Sequence, residues 1–373
     1  MKILYASCRY DPLDRDAGSG VDFNVFQTFQ NHGADLQVIG PFKDSPSQIE
    51  RVYRKAHHLF SHKNTAKFSE AYLHFSAIEV EKAAKNFQPD VIFTHNLIPL
   101  VYIKTKFPII HKSDAFLKNM QEQWPTYSKL EYYRMLAWER NALEKCALVI
   151  TASRWAEKPL LDHYHIPPAR IMILPIPSSL PEIVVPKVIT EKTLQRKDIH
   201  LLTVAKDYNL KGTDIAIQVT QLLRKQGVHA TLRVVGQQGE NVEGVQFMGF
   251  YKKNDPAQLE QYVSHYQWAH LLLHPARYEA AGIVCGEAAG FGVPTITNAA
   301  GGLATTVEAG ISGVVLPKNS LAERYVEVIN SLIADPGRYT CLQETTRKRY
   351  ETELNWNSAG GRILDEIQRV TGL

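Results

Sequence analysis

The chain has 373 residues, 45% of them hydrophobic and 21% charged. This is a globular composition, and the length exceeds one ordinary hydrophobic core, so two domains are expected. A net charge of +4 is too mild for a dedicated nucleic-acid binder, and no run of about 18 apolar residues marks a membrane span.

In chain order, "KILYAS" predicts a strand and "GVDFNVFQTFQNHG" a helix ending at Gly33. "DLQVIGP", "DVIFTHN" and "PIIHKSD" predict three more strands. "EYYRMLAWERNALEKC" carries apolar residues at helical spacing, and "ALVITAS" follows as a strand. Short apolar strands alternating with helices imply parallel βαβ units in a doubly wound sheet. Residues 175–198 break that rhythm with four prolines and mixed polar residues. Alternation resumes with "HLLTVAK", the helix "DIAIQVTQLLRKQG", and the strands "ATLRVVG", "VQFMGF", "AHLLLHP" and "VPTITN". The expected organisation is an α/β N-terminal domain over 1–178, a linker over 179–198 and a second α/β domain over 199–353. The amphipathic tail, 354–373, is expected to form a helix packing back on the N-terminal domain.

In open parallel sheets ligands bind beyond the carboxyl ends of the strands, so the strand-to-helix loops are where chemistry belongs. One stretch stands out: "LLLHPARYEAAGIVCGEAAGFGVPTITNAAGG", residues 271–302. It is almost wholly apolar or small, yet holds two carboxylates, Glu279 and Glu287. Burying a carboxylate without a partner is costly. Glu279 falls on the exit loop of a buried strand, and Glu287 about one turn into a helix that begins near Ile283. Gly282 lies where the backbone must approach something closely. The amides of a helix start favour an anion, and carboxylates favour hydroxyl groups. Together they suit a phosphorylated, hydroxyl-rich ligand.

Residues 274–317, "HPARYEAAGIVCGEAAGFGVPTITNAAGGLATTVEAGISGVVLP", resemble the signature of the family 4 retaining glycosyltransferases, also called glycosyl transferases group 1. The version here is nearest to bacterial lipopolysaccharide-core enzymes. The resemblance implies the α/β fold known as GT-B, two Rossmann-like domains whose parallel sheets face each other across a cleft. It implies a nucleotide-diphosphate sugar as donor, a hydroxyl acceptor (a glycan, a lipid-linked sugar or a small molecule), and neither cofactor nor metal. Glu279 would lie by the donor sugar or the reaction centre and Glu287 would hold ribose hydroxyls. The backbone at Ala281, Gly282 and Ile283 would meet sugar and diphosphate. "TVAKDYNLKGTDIAI" resembles the family's phosphate-binding segment, which puts Lys211 on the family lysine and Lys206 where an arginine is usual. Lysine keeps the charge but loses bidentate geometry. Met248, Gly249 and Phe250 match the segment near the base, without distinguishing uracil, guanine or adenine. Diphosphate would depart on the face that the acceptor attacks, taking the acceptor's proton.

In the N-terminal half, Gly18, Ser19 and Gly20 match loosely the family's Gly-rich loop near donor phosphate and acceptor. The spacing is not that of a dinucleotide fingerprint. Where many members place a catalytic His, this chain has Asp114, with His111 three residues earlier. Asp114 is the stronger candidate for holding acceptor or sugar hydroxyls, since a strand histidine such as His111 is often a satisfied core residue. His95 is a similar, weaker candidate. Ser153 is expected to cap a helix, and Arg154 could reach the cleft.

Residues 51–67 are basic, with Val52, Ala56, Leu59 and Phe60 on one helical face. Two readings stay open: a plain surface helix, or a helix that docks on anionic lipid. Cys8, Cys146, Cys285 and Cys341 lack a C-x-x-C spacing and predict free thiols in a reducing compartment. With no signal-peptide core in "MKILYASCRYD", a cytoplasmic location is expected, with peripheral contact at the inner membrane face as an option. The alternatives to a glycosyltransferase are another two-Rossmann sugar-nucleotide enzyme, such as an epimerase or phosphorylase, and a non-catalytic sugar-nucleotide or glycan-binding protein.

Overall fold

The computed structural model describes residues 1–372 except Arg9, Asp16, Ser45, His62, Ala66, Lys67, Trp124, Pro125 and Thr126. Part of the basic 51–67 stretch and Asp16 beside the Gly-rich loop therefore lie outside the described residues. The chain divides into two compact units, Met1–Leu174 with Gly360–Leu373, and Pro175–Ala359.

The first unit is a sheet of six parallel strands: β1 (Lys2–Ala6), β2 (Asp35–Ile39), β3 (Val91–Thr94), β4 (Ile109–Ser113), β5 (Cys146–Thr151) and β6 (Ile171–Ile173). Their order is β2-β1-β3-β4-β5-β6, so the direction of winding reverses between β1 and β3. The register sets Tyr5 opposite Phe93, and Phe93 opposite Ile110. β3 is buried throughout, as a parallel strand covered by helices on both faces must be. The helices begin where serines cap them. Ser69, Ser128 and Ser153 accept the backbone N–H of Tyr72, Glu131 and Ala156, which satisfies donors that no helical carbonyl can reach.

The second unit is also six parallel strands: β7 (Ile199–Val204), β8 (Ala230–Val235), β9 (Val245–Gly249), β10 (Leu271–His274), β11 (Thr295–Asn298) and β12 (Gly313–Leu316). Their order is β12-β11-β10-β7-β8-β9, with the reversal between β7 and β10. Period-two alternation divides each strand between two cores. Ile199 and Leu201 pack with Ala216, Val219 and Leu223 of the helix Thr213–Lys225. Leu202 and Val204 pack with Leu259, Tyr262 and Tyr266 of the helix Pro256–Trp268.

The segment expected to link the domains is instead part of the second unit. Its prolines break regular structure, but Leu180 and Val185 enter one core and Leu194 the other. The helix Trp356–Thr371 contributes its residues from Gly360 onward to the first unit. Ile363 and Ile367 are fully buried there. A Cβ on Gly360 would come within 1.9 Å of Thr28 Cγ2, so only glycine permits that helix contact. No helix among the described residues is long and apolar enough to cross a membrane. All four cysteines are free; Cys341 alone of them is exposed.

Candidate active site

In the second unit the winding reverses between β7 and β10, so their exit loops, 205–212 and 275–282, lie beside each other at the switch point where open parallel sheets bind ligands. Gly212 shows how closely the loops approach. Its φ is +68° and a Cβ there would lie 2.0 Å from the Pro275 carbonyl oxygen. Any other residue would be strained and would clash. Side chains then fasten the two loops. Arg277 grips Asp214 with two bonds of 2.8 and 2.6 Å and donates to the Asn209 carbonyl at 2.6 Å. That fork holds the Asp214 carboxyl below its ordinary range, its hydrogen bond being the largest influence.

Glu279 lies between the loops. Lys211 Nζ donates to its Oε2 at 2.8 Å, and His274 Nε2 lies 3.2 Å from the same oxygen. Burial alone would raise the Glu279 carboxyl. The hydrogen bonds and charges of His274 and Lys211 overcome it, and the group stays ionised well below the usual carboxylate range. Lys211 also reaches the Tyr278 carbonyl at 3.4 Å. Lys206 is exposed, its ammonium 5.0 Å from the centre of the Phe250 ring. Phe250 is exposed and Met248 half-buried beside it at the end of β9. Gly282 precedes the helix Ile283–Gly290 with φ +73°, and no side chain among the described residues caps that start. A Cβ at Gly282 would press within 2.7 Å of Leu303. Ala281 is pinned by Thr306, whose hydroxyl donates to its carbonyl.

Glu287 is fully buried, and both of its oxygens are occupied within the protein. Oε1 accepts from Ser179 and from Lys253 at 2.5 Å; Oε2 accepts from Tyr262 at 2.6 Å and Tyr266 at 2.7 Å. Burial pushes its carboxyl up, and Lys253 together with the hydroxyl donors more than reverses this. A ribose hydroxyl would have to displace one of these partners, of which Lys253 is the most exposed.

Sequence reasoning brought Lys206, Lys211, Glu279, Gly282, Ile283, Met248 and Phe250 to one edge of one sheet. It missed His274, Arg277, Asp214 and Lys253. The "HP" that opens the motif was a signal for His274, the last residue of its strand. Nothing local marks Lys253 as the partner of Glu287.

In the first unit Gly18, Ser19 and Gly20 are consecutive left-handed residues, φ +56°, +60° and +75°, immediately before the helix Val21–Asn31. Asp114 is exposed just beyond β4. His111 is on β4 itself, 1% exposed, with Nδ1 donating to the Thr94 carbonyl at 3.1 Å. Burial pushes its pKa down to about 3, so the ring is neutral. It faces the core beside Phe116 rather than the surface. His95 follows β3, and its Nδ1 is hydrogen-bonded to Asp22 Oδ1, which also accepts from Tyr5 at 2.9 Å. Burial raises the Asp22 carboxyl, but the charge and hydrogen bond of His95, the Tyr5 bond and the charge of Lys112 together lower it.

Two family descriptions match the chain. Glycosyltransferase Family 4 matches residues 23–177, and Glycosyl transferases group 1 matches residues 186–349. A D-inositol 3-phosphate glycosyltransferase 1 of Catenulispora acidiphila is 40% identical over 99 residues, 26% of this chain and 23% of that protein. A D-inositol 3-phosphate glycosyltransferase of Corynebacterium aurimucosum is 24% identical over 280 residues, 69% of this chain and 65% of its own length. The lipopolysaccharide glucosyltransferase WaaG of Escherichia coli is 28% identical over 263 residues, 63% of this chain and 67% of that one. The chain thus spans less than two thirds of the first two relatives. Among solved structures, a sucrose-phosphate synthase from Thermosynechococcus elongatus superposes with a TM-score of 0.67 at 16% identity, covering 100% of this chain and 99% of that one. The Anabaena protein Alr3699/HepE in complex with UDP and glucose gives 0.63 at 16% identity, covering 99% and 100%. These likenesses carry the fold. Between them the two families account for most of both units, and the chain belongs to the family 4, group 1 glycosyltransferases, with the paired α/β sheets of the GT-B fold.

Proposed function

We propose that this protein transfers a sugar, with retention at the anomeric carbon, from a nucleotide-diphosphate donor to a hydroxyl acceptor in bacterial cell-surface or lipid-linked glycan synthesis. The observation that carries the reading is the Lys211–Glu279–His274 cluster at the strand reversal of the second sheet. Diphosphate gains charge as it departs. Lys211 and Lys206 are the cations to meet it, and the uncapped start of the helix Ile283–Gly290 offers backbone amides. Glu279, kept ionised, takes hydroxyls of the transferred sugar and holds Lys211 in position. Glu287 takes ribose hydroxyls in exchange for Lys253, and Met248 and Phe250 flank the base. Asp114 holds acceptor hydroxyls, and the loop of Gly18 and Gly20 is the other acceptor-side element of the first unit. The UDP named in the Anabaena complex supports a uridine donor, and the names of the relatives support acceptors from inositol phosphate to lipopolysaccharide.

A panel of UDP-, GDP- and ADP-sugars, each with and without EDTA, tests this by thermal shift. One nucleotide class should raise the melting temperature, equally with and without chelator. The anomeric configuration of the product, read by NMR, should match that of the donor. An inverted product would end the retaining assignment.

A second observation favours contact with a membrane surface. The helix Gln48–Ser61 is inside out: Ile49, Val52, Leu59 and Phe60 are exposed, while its polar side faces the protein. Arg54 pairs with Glu50 at 2.6 Å, Tyr53 donates to Glu131 at 3.1 Å, and His57 bonds Ser128 at 3.0 Å. The outward apolar face lies beside exposed Arg51 and Lys55, a pattern suited to anionic lipid. The protein should co-sediment with vesicles containing phosphatidylglycerol and not with neutral ones, and Leu59→Asp with Phe60→Asp should abolish it.

A further inference from the structure

The donor reading leaves a second polar cluster unused, at the carboxyl edge of the first sheet. The register sets Tyr5, Phe93 and Ile110 side by side on one face. Side chains alternate along a strand, so His95 and Lys112, each two residues further on, share that face as neighbours on adjacent strands. His111, one residue earlier than Lys112, points to the opposite face.

The charges on this face are unevenly matched. Asp22 is engaged by Tyr5 and by His95 Nδ1. Lys112 is 2% exposed. Among the described residues its ammonium has no hydrogen-bond or ion-pair partner, and Asp22 and Asp114 act on it only through their charge. The second nitrogen of His95, Nε2, is buried and also has no partner among the described residues. Buried polar groups are nearly always satisfied, and a buried ammonium without a direct partner is costly to keep. Beside them begins the helix Val21–Asn31, its first turn capped by no side chain among the described residues. The Lys112 ammonium, the His95 Nε2 atom and the helix amides converge on one ligand chemistry, a multivalent oxyanion.

We propose that His95 and Lys112 form a subsite for a phosphate group carried by the acceptor: Asp22 accepts from Nδ1–H and holds the ring, and the imidazolium form then turns an Nε2–H donor to the phosphate. The assignment to the acceptor rests on the glycosyltransferase reading; the anion site rests on the cluster alone. A phosphorylated sugar or cyclitol is the substrate class that fits, its phosphate on Lys112 and His95 and its hydroxyls toward Asp114.

Calorimetric titration of the full chain with glucose 6-phosphate, inorganic phosphate, glucose and UDP tests this. Both phosphates should bind and glucose should not. Lys112→Met should weaken glucose 6-phosphate by about tenfold or more, the effect of one charge-assisted bond, and leave UDP unchanged; His95→Gln should weaken it less. Unchanged phosphate affinity in both variants overturns the subsite. A variant that weakens UDP and spares glucose 6-phosphate assigns the anion to the donor and overturns the acceptor assignment. Stability gives a second readout. Lys112→Met should melt at or above the wild-type temperature, because an unpaired charge leaves the interior; a lower melting temperature means that the ammonium is paired internally and defeats the proposal. Absent UDP binding with Lys112-dependent phosphate binding counts against the donor reading and supports the subsite.

Discussion

At the edge of the second sheet the charged groups of the candidate site, Lys206 apart, answer one another: Lys211 with Glu279, Arg277 with Asp214, Lys253 with Glu287. At the edge of the first sheet Asp22 is satisfied, while Lys112 and one nitrogen of His95 find no hydrogen-bond partner among the described residues. The two sheets share one architecture and differ in how they treat charge. The Lys211–Glu279 pair holds its geometry before a ligand arrives, which suits a site that must stabilise developing charge without reorganising. An open cluster stores unmet polarity that a ligand can satisfy, which suits recognition of a substrate by its own charge.

The comparison breaks most visibly at Glu279. Glu279→Gln should reduce kcat by about a hundredfold to a thousandfold, the range seen when one preorganised polar group is lost. Nucleotide affinity should stay within about threefold of wild type. If turnover survives, the Lys211–Glu279 pair is scaffolding, and the non-catalytic alternative gains. Stability against acid sharpens the other side. His111 is held neutral with a pKa depressed to about 3, whereas unfolded histidine titrates near 6.5. The unfolded chain therefore takes up a proton first as pH falls. The stability this contributes is intact above about 6.5 and is lost progressively toward 3, on the order of 3 kcal/mol by pH 4. Denaturant midpoints between pH 7 and 4 should fall less steeply in His111→Leu than in wild type. The smallest effect concerns the clamp between the loops. Arg277→Lys keeps the charge and loses the fork on Asp214, and because Arg277 is partly exposed the cost should be about 0.5–1 kcal/mol in urea melts. A larger loss would mean that the loops depend on this clamp more than on Gly212.

These contrasts explain what could be read in advance. The second unit's site is written in one continuous stretch, 274–302, with Lys206 and Lys211 in another short one. Glycines that cannot be replaced and a helix start that needs no side-chain cap leave local traces. The cluster of the first unit is assembled from Tyr5, Asp22, His95 and Lys112, distant in the chain and joined only by strand register. His111 and Lys112 are adjacent, and sequence reasoning singles out only His111; alternation on β4 sends His111 to the core and Lys112 to the face of Asp22. Residues 179–198 misled for a related reason. Prolines announce irregular backbone, but Leu180, Val185 and Leu194 show that irregular backbone can still line a core.

The path of the chain has a consequence for its synthesis. The first unit is completed by residues beyond Gly360, where Ile363 and Ile367 are buried and Gly360 meets Thr28. A ribosome makes Thr28 before Gly360, with the whole of the second unit between. Domains fold as units as they emerge. Here the unit that starts first must wait, its helix Val21–Asn31 lacking that partner, until the unit that starts second has been made. The order of birth and the order of completion are opposite, and the nascent first sheet is the part of this molecule most in need of protection while it waits.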